Sequence, residues 1–190
     1  RRISPQFNEC EITHIERTPI DLNIARAQHD AYVHALTELG CQVIELPEEP
    51  DLPDSVFVED TAFILPEVAV ITRPGADSRK PEVESIIPAL SIHLPLLRVS
   101  EPASVDGGDV LVIGKKIFIG LSTRSNPEAV SQLNTLLVPF GYIVRGVEMT
   151  DCLHLKTAVT RVDDKTLLIN PNWVDSSNFP GLTLIEIDAS

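Results

Sequence analysis

From residue 56 onward the apolar positions alternate between short runs with the period of a strand and longer stretches with the period of a helix. Residues 56–64 read as a strand, Pro66-Glu67 as a turn, and residues 68–72 as a second strand. A loop then leads to a helix from about Lys80, and a strand near residues 96–99 closes the unit. From Asp106 the order recurs: strand 110–113, turn at Gly114-Lys115, strand 117–120, loop, helix from Pro127, strand 142–147. In that helix Val130, Leu133, Leu137 and Phe140 form one apolar stripe. Asn126 is a suitable N-cap, Pro127 fits the first helical position, and Gly141 stops the element.

A partial unit comes first. Leu22, Ala25, His29, Tyr32, Leu36 and Leu39 share one helix face, ended by Gly40 and followed by a strand over 42–46. A last unit opens with strands 153–161 and 166–170, turning at Asp163-Asp164. Its helix is weakened by Pro171-Asn172-Trp173 and Asn178-Phe179-Pro180-Gly181, and strand 182–187 closes it. The two full units match in detail, Glu59-Asp60 standing where Gly108-Asp109 stands and Ser78-Arg79 where Thr123-Arg124 stands. The chain is thus predicted to be an α/β series of β-β-α-β units of roughly 45–50 residues, which bury their apolar faces by stacking in a ring. A ring stopping after a closed unit is expected to leave a strand edge open.

Composition adds boundaries to this picture. A chain of 190 residues suits one domain, 1–190, and no apolar run reaches the ~18 residues that span a bilayer. Arg1-Arg2-Ile3-Ser4-Pro5 has no apolar region behind it of the kind a signal peptide needs. The net charge of −13 argues against a nucleic-acid partner and favours cationic small molecules. Cys10, Cys41 and Cys152 form no CxxC pair, so neither a zinc nor a thioredoxin signature is present and a reducing cytoplasm fits.

Four clusters carry candidate chemistry. Asp54-Ser-Val-Phe-Val-Glu-Asp60 sets Glu59-Asp60 inside an apolar run, where carboxylates need either structural arginines or a bound cation as partners. Val105-Asp-Gly-Gly-Asp-Val110 places two acids around paired glycines, read as a close backbone approach or as a tight turn. Cys152-Leu-His-Leu-Lys-Thr157 sets His154 between leucines on a strand, a core histidine unless an acid such as Asp106 turns it into a general acid/base. Arg79 and Arg124, at equivalent points of their units, suit either a ligand carboxylate or helix-start ion pairs. His14, His29, His34 and His93 read as helix-face or loop residues.

Together, Asp54–Asp60, Ile71-Thr-Arg-Pro-Gly-Ala76 with Ser78-Arg79, Asp106-Gly-Gly-Asp109, Gly120-Leu-Ser-Thr-Arg124 and Leu153-His-Leu-Lys-Thr157 resemble the dimethylarginine dimethylaminohydrolases. The resemblance implies the pentein fold, an α/β propeller of five ββαβ units, here incomplete at about the first three to four. It implies hydrolysis of Nω-methylated arginines to citrulline and an alkylamine, without cofactor or metal. In that reading His154 is the general acid/base and Asp106 its acidic partner. Glu59 and Asp60, with Asp54 close by, bind the guanidinium, Arg79 and Arg124 hold the substrate carboxylate, Phe57 lines the pocket, and Ile12 belongs to a mobile lid. Lys156 after His-Leu favours dimethylargininases over arginine deiminases.

The family's nucleophilic cysteine lies in a closing C-terminal unit, and none of Cys10, Cys41 and Cys152 stands in its context. The 190 residues are therefore expected to be inactive alone and to be part of a longer hydrolase. An arginine deiminase-like enzyme and a non-catalytic guanidino-compound binding module stay open as alternatives, and so does a homodimer.

Overall fold

Three stretches of the chain repeat one pairing scheme. In the first, β1 (Ala62–Ile64) runs antiparallel to β2 (Ala69–Ile71), which runs parallel to β3 (Leu96–Arg98). The second holds β4 (Val110–Ile113), β5 (Lys116–Leu121) and β6 (Ile143–Glu148), and the third β7 (Val159–Arg161), β8 (Thr166–Ile169) and β9 (Thr183–Glu186), both paired in the same way. The structure, a computed structural model, describes residues 1–13 and 16–187; His14 lies outside the described residues. It divides into two compact units, residues 1–58 and 59–190, and all three sheets fall in the second.

In the second unit the middle sheet is buried on both faces. Val110, Ile117 and Ile119 face one core, shared with Phe63, Leu65, Val70 and Leu133. Leu111, Ile113 and Phe118, one residue out of phase, face a second core with Leu155, Leu167, Ile169 and Phe179. The strand period of two sends alternate residues to opposite faces, so a continuous apolar run is what a sandwiched strand requires. Helix α3 (Pro127–Leu137), preceded by the short α2 (Ile87–Ser91) in the first repeat, packs Ala129, Leu133 and Leu137 into the first core. Asn126 caps α3 by accepting from the Ala129 amide at 3.1 Å, and it also accepts from the Ser104 amide at 2.9 Å.

Several expected elements take another form. The helix from Lys80 is a 3-10 run, Asp77–Val83, followed by α2, because Pro81 and Pro88 remove backbone donors. The strand expected over 56–64 shrinks to β1 behind a 3-10 turn, Val58–Thr61, and the last repeat has only a 3-10 turn, Ser176–Asn178, for its helix. Residues 153–161, expected as one strand, begin with the short helix α4 (Leu155–Ala158), and only β7 is extended.

The first unit is built around α1 (Leu22–Glu38), whose N-cap Asp21 accepts from the amides of Asn23 and Ile24 at 2.8 and 3.3 Å. Residues 42–46 form no strand: a strand needs a ladder partner, and this segment gains a backbone bond from the Arg2 amide to the Leu46 carbonyl. Among the described residues no helix is long and apolar enough to cross a membrane.

Candidate active site

The sequence-distant acids and the histidine converge in the second unit. Asp60, on the 3-10 turn before β1, is buried, and its Oδ1 accepts from the Gly108 amide at 2.9 Å. Its Oδ2 accepts from Nη1 of Arg79 at 2.8 Å. His154 stands directly before α4, and its Nε2 lies 3.8 Å from Oδ1 of Asp60. Nδ1 of His154 lies 3.5 Å from Oδ1 of Asp109, an ion-pair distance. Asp106 has its Oδ1 bonded to the Gly75 amide at 2.9 Å, while its buried Oδ2 has no hydrogen-bond partner among the described residues.

Two glycines make this approach possible. A Cβ on Gly107 would sit 1.9 Å from the Glu59 carbonyl oxygen, and one on Gly108 would sit 2.7 Å from the His154 ring. Neither leaves room for any other residue while the acids and the ring stay in place.

Arg79 is packed among protein carboxylates. It is 4% exposed, and its fork points at protein carboxylates: Nε and Nη2 reach Oε1 and Oε2 of Glu82 at 3.1 and 3.0 Å, beside the bond to Asp60. A guanidinium held this way anchors Asp60 rather than facing solvent for a ligand carboxylate. Arg124 is half-buried, its amide bonded to Oγ of Ser122 and its backbone against Gly75. Glu59 is exposed and ion-pairs with Lys156. Asp54, Phe57 and Ile12 belong to the first unit. There Asp54 is buried and accepts from the Glu11 amide at 3.0 Å, Ile12 is half-buried, and Phe57 is exposed with its ring 5.9 Å from that of Phe7.

The charges explain the titration behaviour. Burial alone would push the His154 imidazolium down, but Asp109, Asp60 and Asp106 outweigh it and hold its pKa above the usual histidine value. Burial pushes the Asp106 carboxyl up; the Gly75 amide opposes this, and Asp60 adds to it. The thiol of Cys152, which no strand places beside His154, is raised by burial, then by Asp109 and Asp151; that of Cys10 is raised by burial, then by Asp54. A nucleophilic thiolate needs the opposite, an electropositive surround. Cys41 is exposed. Donor atoms of Asp60, Asp106 and His154 lie within 4.8 Å of one another, as do those of His29, Asp30 and Glu45, so either trio is close enough to share a cation.

The sequence reading missed Asp109, Glu82, Ser122 and Ser125 as parts of this cluster. Glu82 carried a signal, its i,i+3 spacing from Arg79 being that of a helical ion pair. The two serines donate to Oδ2 of Asp109, Ser125 at 2.6 Å and Ser122 at 3.2 Å.

Comparison with known proteins gives this cluster its context. The chain matches the family described as "N,N dimethylarginine dimethylhydrolase, eukaryotic" over residues 8–176. It is similar to the N(G),N(G)-dimethylarginine dimethylaminohydrolase of Streptomyces coelicolor, 43% identical over 169 residues that make up 88% of this chain and 66% of that protein. With the Pseudomonas aeruginosa protein of the same name it is 35% identical over 165 residues, 86% of this chain and 65% of the relative. The chain thus spans just under two thirds of the length of these curated relatives. A solved structure of a cysteine-to-serine variant of the Pseudomonas aeruginosa enzyme, complexed with citrulline, superposes with a TM-score of 0.91 at 32% identity, covering 98% of this chain and 74% of that one. The α/β fold is therefore that of these enzymes, and the chain belongs to the dimethylarginine dimethylaminohydrolase family.

Proposed function

We propose that the protein hydrolyses Nω-methylated L-arginines to L-citrulline and an alkylamine, with His154 as the proton carrier. The observation that carries this reading is the placement of His154 beside the buried Asp60, whose carboxylate is fixed by Arg79 and the Gly108 amide. A carboxylate anchored on one side and next to a histidine is suited to hold a cationic guanidinium against a proton donor.

In the proposed chemistry a cysteine thiolate attacks the guanidinium carbon. His154, as imidazolium, protonates the departing amine while the C–N bond breaks. Water then adds to the thiouronium and His154 takes one of its protons. The C–S bond breaks with its electron pair returning to the thiolate, and the second water proton leaves to solvent as the citrulline carbonyl forms. Glu59 and Asp60 bind the guanidinium, Asp106 assists His154, and Arg124 takes the substrate carboxylate, while Arg79 keeps Asp60 in position. Asp54, Phe57 and Ile12 are assigned to substrate binding on the resemblance alone. The raised thiols of Cys10 and Cys152 support a nucleophile other than these two, and the family context of the sulfur excludes Cys41 as well. The same reading takes the three sheets as part of a five-unit propeller acting in a reducing cytoplasm without metal, and it allows a homodimer.

The test follows citrulline and dimethylamine released from Nω,Nω-dimethyl-L-arginine by the full-length protein, with arginine as competitor. Release from the methylated substrate supports the reading. Release from arginine alone transfers it to a deiminase, and binding without turnover to a guanidino-binding module. Asp60→Asn is expected to weaken ligand binding by about 2–5 kcal/mol, as removal of a buried charge partner does; unchanged binding in the folded variant returns Asp60 to a structural role.

A further inference from the structure

The strongest unassigned feature is a carboxylate that the proposed chemistry does not use. Asp109 is fully buried, with side-chain exposure of 0%. Its Oδ1 accepts from the Leu155 amide at 3.0 Å, the residue directly after His154, and the same oxygen lies 3.5 Å from Nδ1 of the His154 ring. Its Oδ2 accepts from Ser125 Oγ at 2.6 Å and Ser122 Oγ at 3.2 Å. Gly120 packs closely beside this carboxylate, a Cβ there meeting Sδ of Met149 at 2.6 Å, Cβ of Leu155 at 2.8 Å and Oδ1 of Asp109 at 3.1 Å. One group therefore ties the backbone next to His154, faces its ring, and is itself held by two hydroxyls.

We infer that Asp109 is the positioning residue of His154, fixing both the ring orientation and the tautomer with the proton on Nδ1. The inference rests on the reading of His154 as the proton carrier.

The geometry separates the two ring nitrogens. Nδ1 is buried and makes no hydrogen bond among the described residues, and Oδ1 of Asp109 lies 3.5 Å from it, at ion-pair distance. Nε2 points toward Asp60. Asp109 is an acceptor in every contact described for it and lies nearer the ring than Asp60 does, 3.5 against 3.8 Å, so in the proposal the ring proton sits on Nδ1. That leaves the lone pair of the neutral ring on Nε2, on the side of the anchored Asp60, where a departing amine or a water would be met. Asp106 also belongs to the negative surround of the ring, with one oxygen bonded to the Gly75 amide and the other unbonded, but it lies farther from the ring nitrogens than Asp60 and Asp109 do. The charged groups facing the ring are Asp60, Asp106 and Asp109, with Arg79 behind Asp60.

Nitrogen-15 NMR of the histidine ring in the full-length protein tests this without depending on turnover. In the wild type the neutral His154 ring is expected to carry its proton on Nδ1; a proton on Nε2 overturns the proposal. In Asp109→Asn the titration midpoint of His154 falls and the Nδ1–H population drops, while Asp106→Asn lowers the midpoint and leaves the tautomer in place. A tautomer that follows Asp106 and ignores Asp109 overturns it as well. Where turnover is measurable, Asp109→Asn lowers kcat by about 10²–10⁴-fold with KM within about threefold, the pattern of a lost proton-transfer geometry. If Asp109→Asn does not fold, Asp106→Asn decides: an Nδ1–H population that is lost there overturns the proposal, and one that is retained upholds it. A missing citrulline signal with the Nδ1–H tautomer in place removes the hydrolase reading and leaves the positioning role of Asp109 standing.

Discussion

Asp106 holds a charge where the fold gives it little help. One oxygen has the Gly75 amide, the other no hydrogen-bond partner among the described residues, and burial holds the carboxyl above its ordinary range. The sign of the linkage follows. An acid whose folded pKa is raised contributes stability that is fully present below its unfolded value, about 3.9, and lost as the pH rises through the folded value. At neutral pH the ionised Asp106 therefore works against folding. Asp106→Asn keeps an acceptor for the Gly75 amide and replaces the charge with a neutral amide, which costs less to bury. We expect the variant to melt at a higher temperature than wild type at pH 7, with the difference shrinking to nothing toward pH 3–4. Thermal denaturation across that range checks it; a variant less stable at pH 7 would mean that the charge is compensated by Arg79 and His154 more fully than burial penalises it.

At the scale of elements, the middle repeat was legible from local pattern and the segments around the site were not. β4 and β5 came within one residue of expectation because a sandwiched strand writes itself as a continuous apolar run, and α3 because Asn126 and Pro127 mark its start. Residues 153–161 alternate as a strand does, yet α4 forms there. The Leu155 amide is taken by Asp109, 46 residues away in sequence, and no local rule reads a bond of that range. The same distance hides the choice between Asp106 and Asp109: the motif pointed to Asp106 as the partner of His154, and only the fold brings Asp109 to Nδ1. Arg79 was legible as an arginine at a repeated position, and its burial against Glu82 and Asp60 was not. The stacking of elements makes a separate prediction. Phe118 of β5 meets Phe179 of the next repeat with ring centroids 5.0 Å apart, inside the second core. Phe118→Ala is expected to cost about 3–5 kcal/mol. In a double-mutant cycle with Phe179→Ala the pair should couple by about 0.5–1.5 kcal/mol, read from urea unfolding. Additive losses would place the two rings in separately folding repeats.

The whole molecule carries a net charge of −13, and it concentrates three buried carboxylates, Asp60, Asp106 and Asp109, around one histidine with Arg79 behind. A field of one sign focused into a low-dielectric site raises the arrival rate of a cation and falls with ionic strength, because exposed charges are screened beyond a Debye length of about 10 Å at 0.1 M. Dimethylarginine and citrulline share the same α-amino and α-carboxylate groups and differ in the charge of the distal group. The comparison therefore isolates the guanidinium. Between about 0.02 and 0.5 M salt the association rate of dimethylarginine is expected to fall by about tenfold, while that of citrulline changes little. Dissociation of either should be nearly insensitive to salt, because contacts inside the site are poorly screened. Stopped-flow measurements on the two ligands decide it. Equal salt dependence for both would mean that the acidic surface acts on the shared groups or on neither, and that the negative balance of the chain has no part in selecting a guanidinium.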